Sequence, residues 1–312
     1  MTARAPANIY LRRAQLILLL VAVATTIVTT PVGIVLLASK GSYVVAVVSG
    51  VLVLAFCASS VAGYVLGSIF LRRSASLVDT QNQFLSAVSH ELRTPITSMR
   101  MFLEALLDDR LADRAERDRC LTSLRTETMR LDDLVGRLIE LSRVESGRQV
   151  FAREPVGADE LVEAAMNAFA AIRLDTPADI AVRVEPGLQI LGDRAALVQV
   201  FVNLLSNAWK YGGEPRRIRF VVETAPGGRV AFQVDDNGPG IPREERSRVF
   251  GMFERGAAAV RAGAKGSGLG LAIVRAIVGN HRGRIELGRS PEGGCRFRVL
   301  FRRHHPKRET RS

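Results

Sequence analysis

The chain has 312 residues, 47% of them hydrophobic, and a formal net charge of +12. That length holds two or three modest domains, and the apolar residues crowd the first quarter, so the class to expect is a membrane anchor ahead of a water-soluble region. The charge does not make a nucleic-acid binder: the arginines are scattered, singly or at most in adjacent pairs, except near Arg302, Arg303, His304, His305, Lys307 and Arg308, and the few aromatics are not interleaved with them.

Residues 14–38 carry no charge, and neither do 43–71. Each run exceeds the roughly 20 apolar residues that a helix needs to cross the hydrocarbon core. Ser39, Lys40, Gly41 and Ser42 stand between them, enough for a tight turn and too few for an extracellular ligand-binding domain. Arg4, Arg12 and Arg13 precede the first span, and Arg72 and Arg73 follow the second. By the positive-inside rule both termini face the cytoplasm, and the basic excess suits an anionic leaflet and an acidic protein partner. Pro31 is placed to kink the first span. Gly63 and Gly67 have the spacing of a helix-packing motif. Cys57, Cys120 and Cys295 lie far apart, without metal or disulfide spacing; Cys57 falls in an apolar run, and the other two read as packing residues.

Beyond Arg72 the sequence turns polar and periodic. Leu85, Val88, Leu92, Ile96, Met99, Leu103 and Leu106 fall on one helical face. Asp108, Asp109 and Arg110 break the pattern, and Leu124, Leu131, Leu134, Leu138 and Leu141 resume it. Two such helices form a hairpin that buries only one side of each. Pairing two hairpins into a four-helix bundle covers the rest, so a homodimer is expected. His90 lies nearly opposite the apolar stripe and is therefore exposed. A lone exposed histidine is ordinarily inert, but its neighbours are Glu91, Leu92, Arg93, Thr94 and Pro95. Neutral imidazole is a competent nucleophile near pH 7. Glu91 is adjacent to take the proton from the other ring nitrogen.

The rest of the chain reads as mixed. Strands are expected at 149–152, 180–184, 218–222, 230–234, 284–287 and 296–301, and helices at 159–172, 195–211 and 269–278, giving a sheet covered by helices on one face. Four motifs follow in order. Asn203 and Asn207 share a helix face whose amide oxygens suit Mg²⁺, and Lys210 and Tyr211 follow them. Asp236, Gly238 and Gly240 close a strand, where a carboxylate can accept from the amine of adenine and glycines allow close approach. Phe250 and Phe253 precede Arg255, a cation for phosphate. Gly266, Gly268, Leu269 and Gly270 open a helix, a favourable place for phosphate. Each motif alone has a plain alternative: a polar helix face, a surface turn, an amphipathic turn, a glycine loop.

Together, from about 74 to 301, these stretches resemble the H, N, G1, F and G2 boxes of bacterial two-component sensor histidine kinases, in that family's order. The resemblance implies a Bergerat-type α/β sandwich that binds ATP and Mg²⁺, with Asn207 holding the metal, Asn203 nearby and Asp236 on adenine. It implies that the segment 251–265 is the lid over the nucleotide. It also implies that His90 is phosphorylated, that the group passes to an aspartate of a response regulator, and that Thr94 with Glu91 supports phosphatase activity. The chain departs from the pattern at Arg282, where glycine is common, at Gly251, where glutamate is common, and in its short linker. As a helix, Arg72 to His90 spans only about 27 Å.

The expected organisation is a two-span anchor (1–73), a dimerising phosphotransfer hairpin (74–148), an ATP-binding catalytic domain (149–303) and a basic tail (304–312). The expected place is the bacterial inner membrane, with the signal arriving in the bilayer or from a membrane partner protein. A phosphatase-dominated regulator and a membrane-tethered ATP-binding module without phosphotransfer are the rival readings.

Overall fold

The structure is a computed structural model. It describes single positions between 19 and 34 and residues 43–108, 113–173, 178–256 and 266–305. The chain divides into two compact units, 1–89 and 90–312.

Helix α1 runs over Tyr43–Leu107 and contributes to both units. Its stretch Gly50–Ile69 is long and apolar enough to cross a membrane. Val51, Leu52, Phe56 and Leu66 in that stretch are exposed rather than packed, which in a folded chain is costly in water and natural in lipid. The second expected span thus falls within α1. Most of the first, 14–38, lies outside the described residues, as does the turn 39–42. The hydroxyl oxygens of Thr25 and Ser60 lie 3.1 Å apart.

In the second unit, α1 ends at the polar break and helix α2 covers Arg114–Glu145. Asp113 caps α2 by accepting from the Glu116 N–H at 2.7 Å, which satisfies one of the donors left open at a helix start. The two helices are tied by Cys120, whose thiol donates to the Phe102 carbonyl at 3.4 Å, and by Thr128, whose hydroxyl meets the Met99 sulfur at 3.3 Å. Within this unit Leu92, Met99 and Leu106 are half-buried, whereas Ile96 and Leu103 remain exposed. One hairpin covers one side of the stripe, as the periodicity requires.

The α/β part begins with β1 (Glu154–Gly157), α3 (Ala158–Arg173), β2 (Asp179–Val184), β3 (Gln189–Gly192) and α4 (Arg194–Tyr211). It continues with β4 (Arg217–Ala225), β5 (Arg229–Asp236), α5 (Gly270–Asn280), β6 (Arg284–Arg289) and β7 (Cys295–Arg302). Strands β2-β4-β5-β7-β6 form one mixed sheet, in which only the β2–β4 pairing is parallel. A separate two-stranded sheet pairs β1 with β3. The core is aromatic where α4 meets the sheet: the Phe201 ring lies 4.7 Å from Phe232 and 5.5 Å from Phe220.

Two strand expectations need correction. Residues 149–152 are not a strand; pairing starts at Glu154, and β3 has no counterpart among the expected strands. Strands of four residues carry too little alternation to be read locally, and these two exist because each pairs with the other.

Candidate functional site

The cavity is built from the inside out. Strand β5 ends in two acidic residues that point to opposite faces, as strand alternation demands. Asp235 lies on the face of the sheet opposite Asp236, where it is only 3% exposed and is covered by Arg296, whose Nε and Nη2 donate at 2.8 and 3.0 Å. Asp236 faces inward and is 5% exposed. Its Oδ1 accepts from the N–H groups of Gly238 at 2.8 Å and Cys295 at 3.0 Å. Both donors use the same oxygen, so Oδ2 is the one available to a ligand. Burial pushes the Asp236 carboxyl above its usual range, against those two bonds. Burial also pushes the neighbouring Cys295 thiol up to about 12, so it is a packing group and not a nucleophile.

Glycines bring backbone close to this carboxylate. A Cβ on Gly294 would collide with Asp236 and come within 2.6 Å of the Gly238 nitrogen. Gly240 has φ +75 and Gly268 φ +70, conformations that other residues rarely adopt. A Cβ on Gly268 would also sit 2.7 Å from the Phe253 backbone, so the glycine loop touches the turn ahead of it.

Around Asp236 lies a cavity of about 460 Å³, within the range of small-molecule sites. Asn203, Asn207, Lys210 and Tyr211 of α4 line it, as do Gly240, Arg255, Gly266, Gly268 and Gly270. Lys210 is open to solvent at its edge, yet desolvation by the wall lowers its pKa; Arg137 adds to that shift and Asp133 opposes it. Gly238 and Leu269 are not in the lining. Gly238 donates to Asp236, and Leu269 is fully buried in the core at the start of α5. Of the expected lid, 251–265, only 251–256 are described.

His90 is exposed on α1, Glu91 is half-buried, and the Thr94 hydroxyl donates to the His90 carbonyl at 3.3 Å. Pro95, one turn on, lies within the unbroken helix. Sequence reasoning did not single out Asp133 and Arg137, which reach the cavity wall from α2. Nothing in their spacing distinguishes them from an ordinary surface ion pair. It also passed over Gly294, whose signal was only a turn glycine.

The residues suit a nucleotide: a buried carboxylate with one oxygen spare, glycine-flanked backbone, a helix N-terminus and cations on one cavity. They suit Mg²⁺ in the way that metal is usually held, by one or two protein oxygens plus phosphates. No cluster of carboxylate, histidine or cysteine ligands stands among the described residues.

Comparison with known proteins agrees with the geometry. Residues 80–147 match the His Kinase A (phospho-acceptor) domain, and residues 192–305 match the histidine kinase-, DNA gyrase B- and HSP90-like ATPase family. The sensor-like histidine kinase SenX3 of Mycolicibacterium smegmatis is 34% identical over 224 residues, covering 72% of this chain and 58% of that protein. The signal transduction histidine-protein kinase/phosphatase MprB of Mycobacterium bovis is 35% identical over 233 residues, covering 73% of this chain and 45% of that one. The chain therefore spans about half the length of these curated relatives, 58% of the first and 45% of the second. Among solved structures, the Acinetobacter baumannii histidine kinase AdeS superposes with a TM-score of 0.55 at 26% identity, covering 69% of this chain and 98% of that one. Full-length ShkA in complex with AMPPNP gives 0.52 at 25% identity, covering 71% and 46%. A phospho-acceptor helical region followed by an ATPase-type α/β domain, in this order and with these relatives, means that the chain belongs to the sensor histidine kinases of two-component systems.

Proposed function

We propose that this chain autophosphorylates His90 from ATP, passes the phosphoryl group to an aspartate of a response regulator, and also dephosphorylates that regulator. The observation that carries the reading is the convergence of Asn203, Asn207, Lys210, Asp236 and the glycine loop on one cavity, in a chain that also exposes His90 beside Glu91. The nucleotide analogue bound by the relative ShkA supports it.

Asp236 Oδ2 accepts from the adenine amine, with the carboxylate oriented by the bonds on Oδ1. The N-terminus of α5, with Gly266, Gly268 and Gly270, and the side chains of Lys210 and Arg255 take the phosphates. When bound, Mg²⁺ is held by Asn207 with Asn203 nearby and neutralises charge on the phosphates. A ring nitrogen of His90 attacks the γ-phosphorus, the bond to the bridging oxygen breaks, and ADP leaves. Glu91 accepts the proton from the other ring nitrogen. Thr94 orients water for attack on the regulator's phospho-aspartate.

Two further parts of the proposal concern architecture. Residues 1–73 anchor the chain by two spans, with both termini in the cytoplasm; the apolar stretch Gly50–Ile69 supports the second span. The hairpin pairs with a second copy as a four-helix bundle. In support, Ile96, Leu103, Leu121, Met129, Val135 and Ile139 are exposed on α1 and α2, an unpartnered apolar surface that a matching hairpin would cover.

The test uses full-length protein with ATP labelled in the γ-phosphate. His90→Gln abolishes acid-labile labelling; label that survives the change sinks the assignment. Thr94→Ala retains labelling and loses most of the dephosphorylation of a phosphorylated regulator.

A further inference from the structure

Among the described charged residues lining the cavity that the scheme above does not use, Arg137 is the one cation. Arg137 comes from α2, the second helix of the phosphotransfer hairpin, and lines the cavity with Asp133. Its Nε donates to both Asp133 oxygens, at 3.0 and 2.9 Å. That i,i+4 pairing fixes the side chain's direction. Its Nη1 then reaches Asn203 Oδ1 at 3.5 Å. The same amide oxygen lies 3.4 Å from where a Cβ on Gly270, the first residue of α5, would stand. The guanidinium is therefore beside the N-terminus of the helix that the glycine loop opens, where an anion is favoured by backbone N–H groups and the helix dipole. Arg137 also lowers the pKa of Lys210, so the two cations feel one another across the wall. Two cations on one wall of a cavity repel until an anion comes between them. The Asp133 carboxylate only partly offsets this, since its own side chain is 60% exposed and screened by water.

We propose that Arg137 is a polyphosphate-binding residue, contributed to the nucleotide cavity by the phosphotransfer hairpin. This rests on reading the cavity as the ATP site. A guanidinium is always charged and presents donors in a planar fork that matches phosphate oxygens. On binding, Nη1 exchanges its long contact with a neutral amide for a charge-assisted one with phosphate, and Asn203 Oδ1 is released. Nucleotide affinity then depends on a helix outside the ATPase-type domain. By reciprocity, a bound triphosphate favours the packing of α2 against that domain.

The test is equilibrium binding by titration calorimetry, on full-length protein in detergent, with Mg²⁺ and the non-hydrolysable analogue AMPPNP, and separately with adenosine. Arg137→Ala weakens AMPPNP by about tenfold and leaves adenosine unchanged. Arg137→Lys, which keeps a cation without the fork, recovers part of the loss. Three results overturn the proposal: unchanged AMPPNP affinity, tighter AMPPNP binding (Arg137 would then be a competitor at Asn203), or an equal loss for adenosine (the role would then be structural). If the unmodified protein binds neither ligand, the reading of the cavity falls first and Arg137 falls with it.

Discussion

Replacing Asp236 by Asn separates recognition from folding. Asn keeps an oxygen able to accept from the Gly238 and Cys295 N–H groups, now at 2.8 and 3.0 Å from Oδ1. It exchanges Oδ2 for an NH₂ group, which turns a donor toward the donor amine of adenine. Losing a hydrogen bond to a charged group costs about 1.5–3 kcal/mol, so nucleotide affinity falls roughly 10- to 150-fold. Stability moves the other way. Burial raises the Asp236 pKa from its ordinary 3.8, so the folded state binds a proton more tightly than the unfolded one. A group shifted upward contributes stability that is present below its ordinary pKa and lost as pH rises through the folded value. At pH 7 the ionised carboxylate therefore costs the unliganded fold, and a neutral Asn removes that cost. The variant's melting temperature at pH 7 equals or exceeds the parent's, and the difference shrinks toward pH 4. Calorimetric titration with Mg²⁺ and AMPPNP, beside melting curves across pH, measures both effects. Undiminished affinity would refute the role in recognition; a lowered melting temperature at pH 7 would refute the account of the buried charge.

The other predictions concern groups around the site. His281 accepts from the Asp193 N–H through Nε2 at 3.0 Å, with Nδ1 2.8 Å from the Ile277 carbonyl, so it is the Nδ1–H tautomer. Burial lowers its pKa from 6.5, despite the bond to Ile277 and the charge of Asp193. Stability linked to it is complete above 6.5 and declines as pH falls toward the lowered folded value. The drop in melting temperature between pH 7 and 5.5 should be smaller in His281→Gln than in the parent, and equal drops would contradict this. Cys295, with its thiol pushed up to about 12, should resist iodoacetamide at pH 8 in the native protein and react on unfolding, as followed by mass spectrometry.

What the sequence made legible followed from how locally each feature is determined. The hairpin's periodicity, the exposure of His90 and the motif on α4 are readable because helical spacing alone decides which side chains share a face. The inward turn of Asp236 follows from strand alternation once β5 is recognised. The short pair β1 and β3 was missed because neither strand has a pattern apart from the other. Arg137 was invisible for a related reason. Its spacing from Asp133 is that of any solvated helix pair, and only the packing of α2 on the ATPase-type domain brings it to Asn203. Leu269 shows a different limit: it stands inside a glycine-rich motif, and its side chain is a core residue at the start of α5, so a role at the cavity would fall to its backbone.

The two ends of the cavity differ in what holds them. The carboxylate end is fixed by backbone: Asp236 is clamped by two N–H groups, and Gly294 leaves no room for it to move. Affinity there should be the same whatever the hairpin does. The cationic end draws on Lys210, Arg255, the start of α5 and a side chain of α2. Helix α2 meets α5 through buried Leu141 and Val144 in the common core and through Glu145, whose carboxyl is pushed up by burial and pulled back by Arg275 of α5. That interface combines apolar burial with an electrostatic attraction between Glu145 and Arg275. A nucleotide with more phosphates gains more from the cationic end, so ATP should favour the packed arrangement more than ADP does. Loss of the terminal phosphoryl group to a histidine would then weaken the packing of α2 against the domain that delivered it.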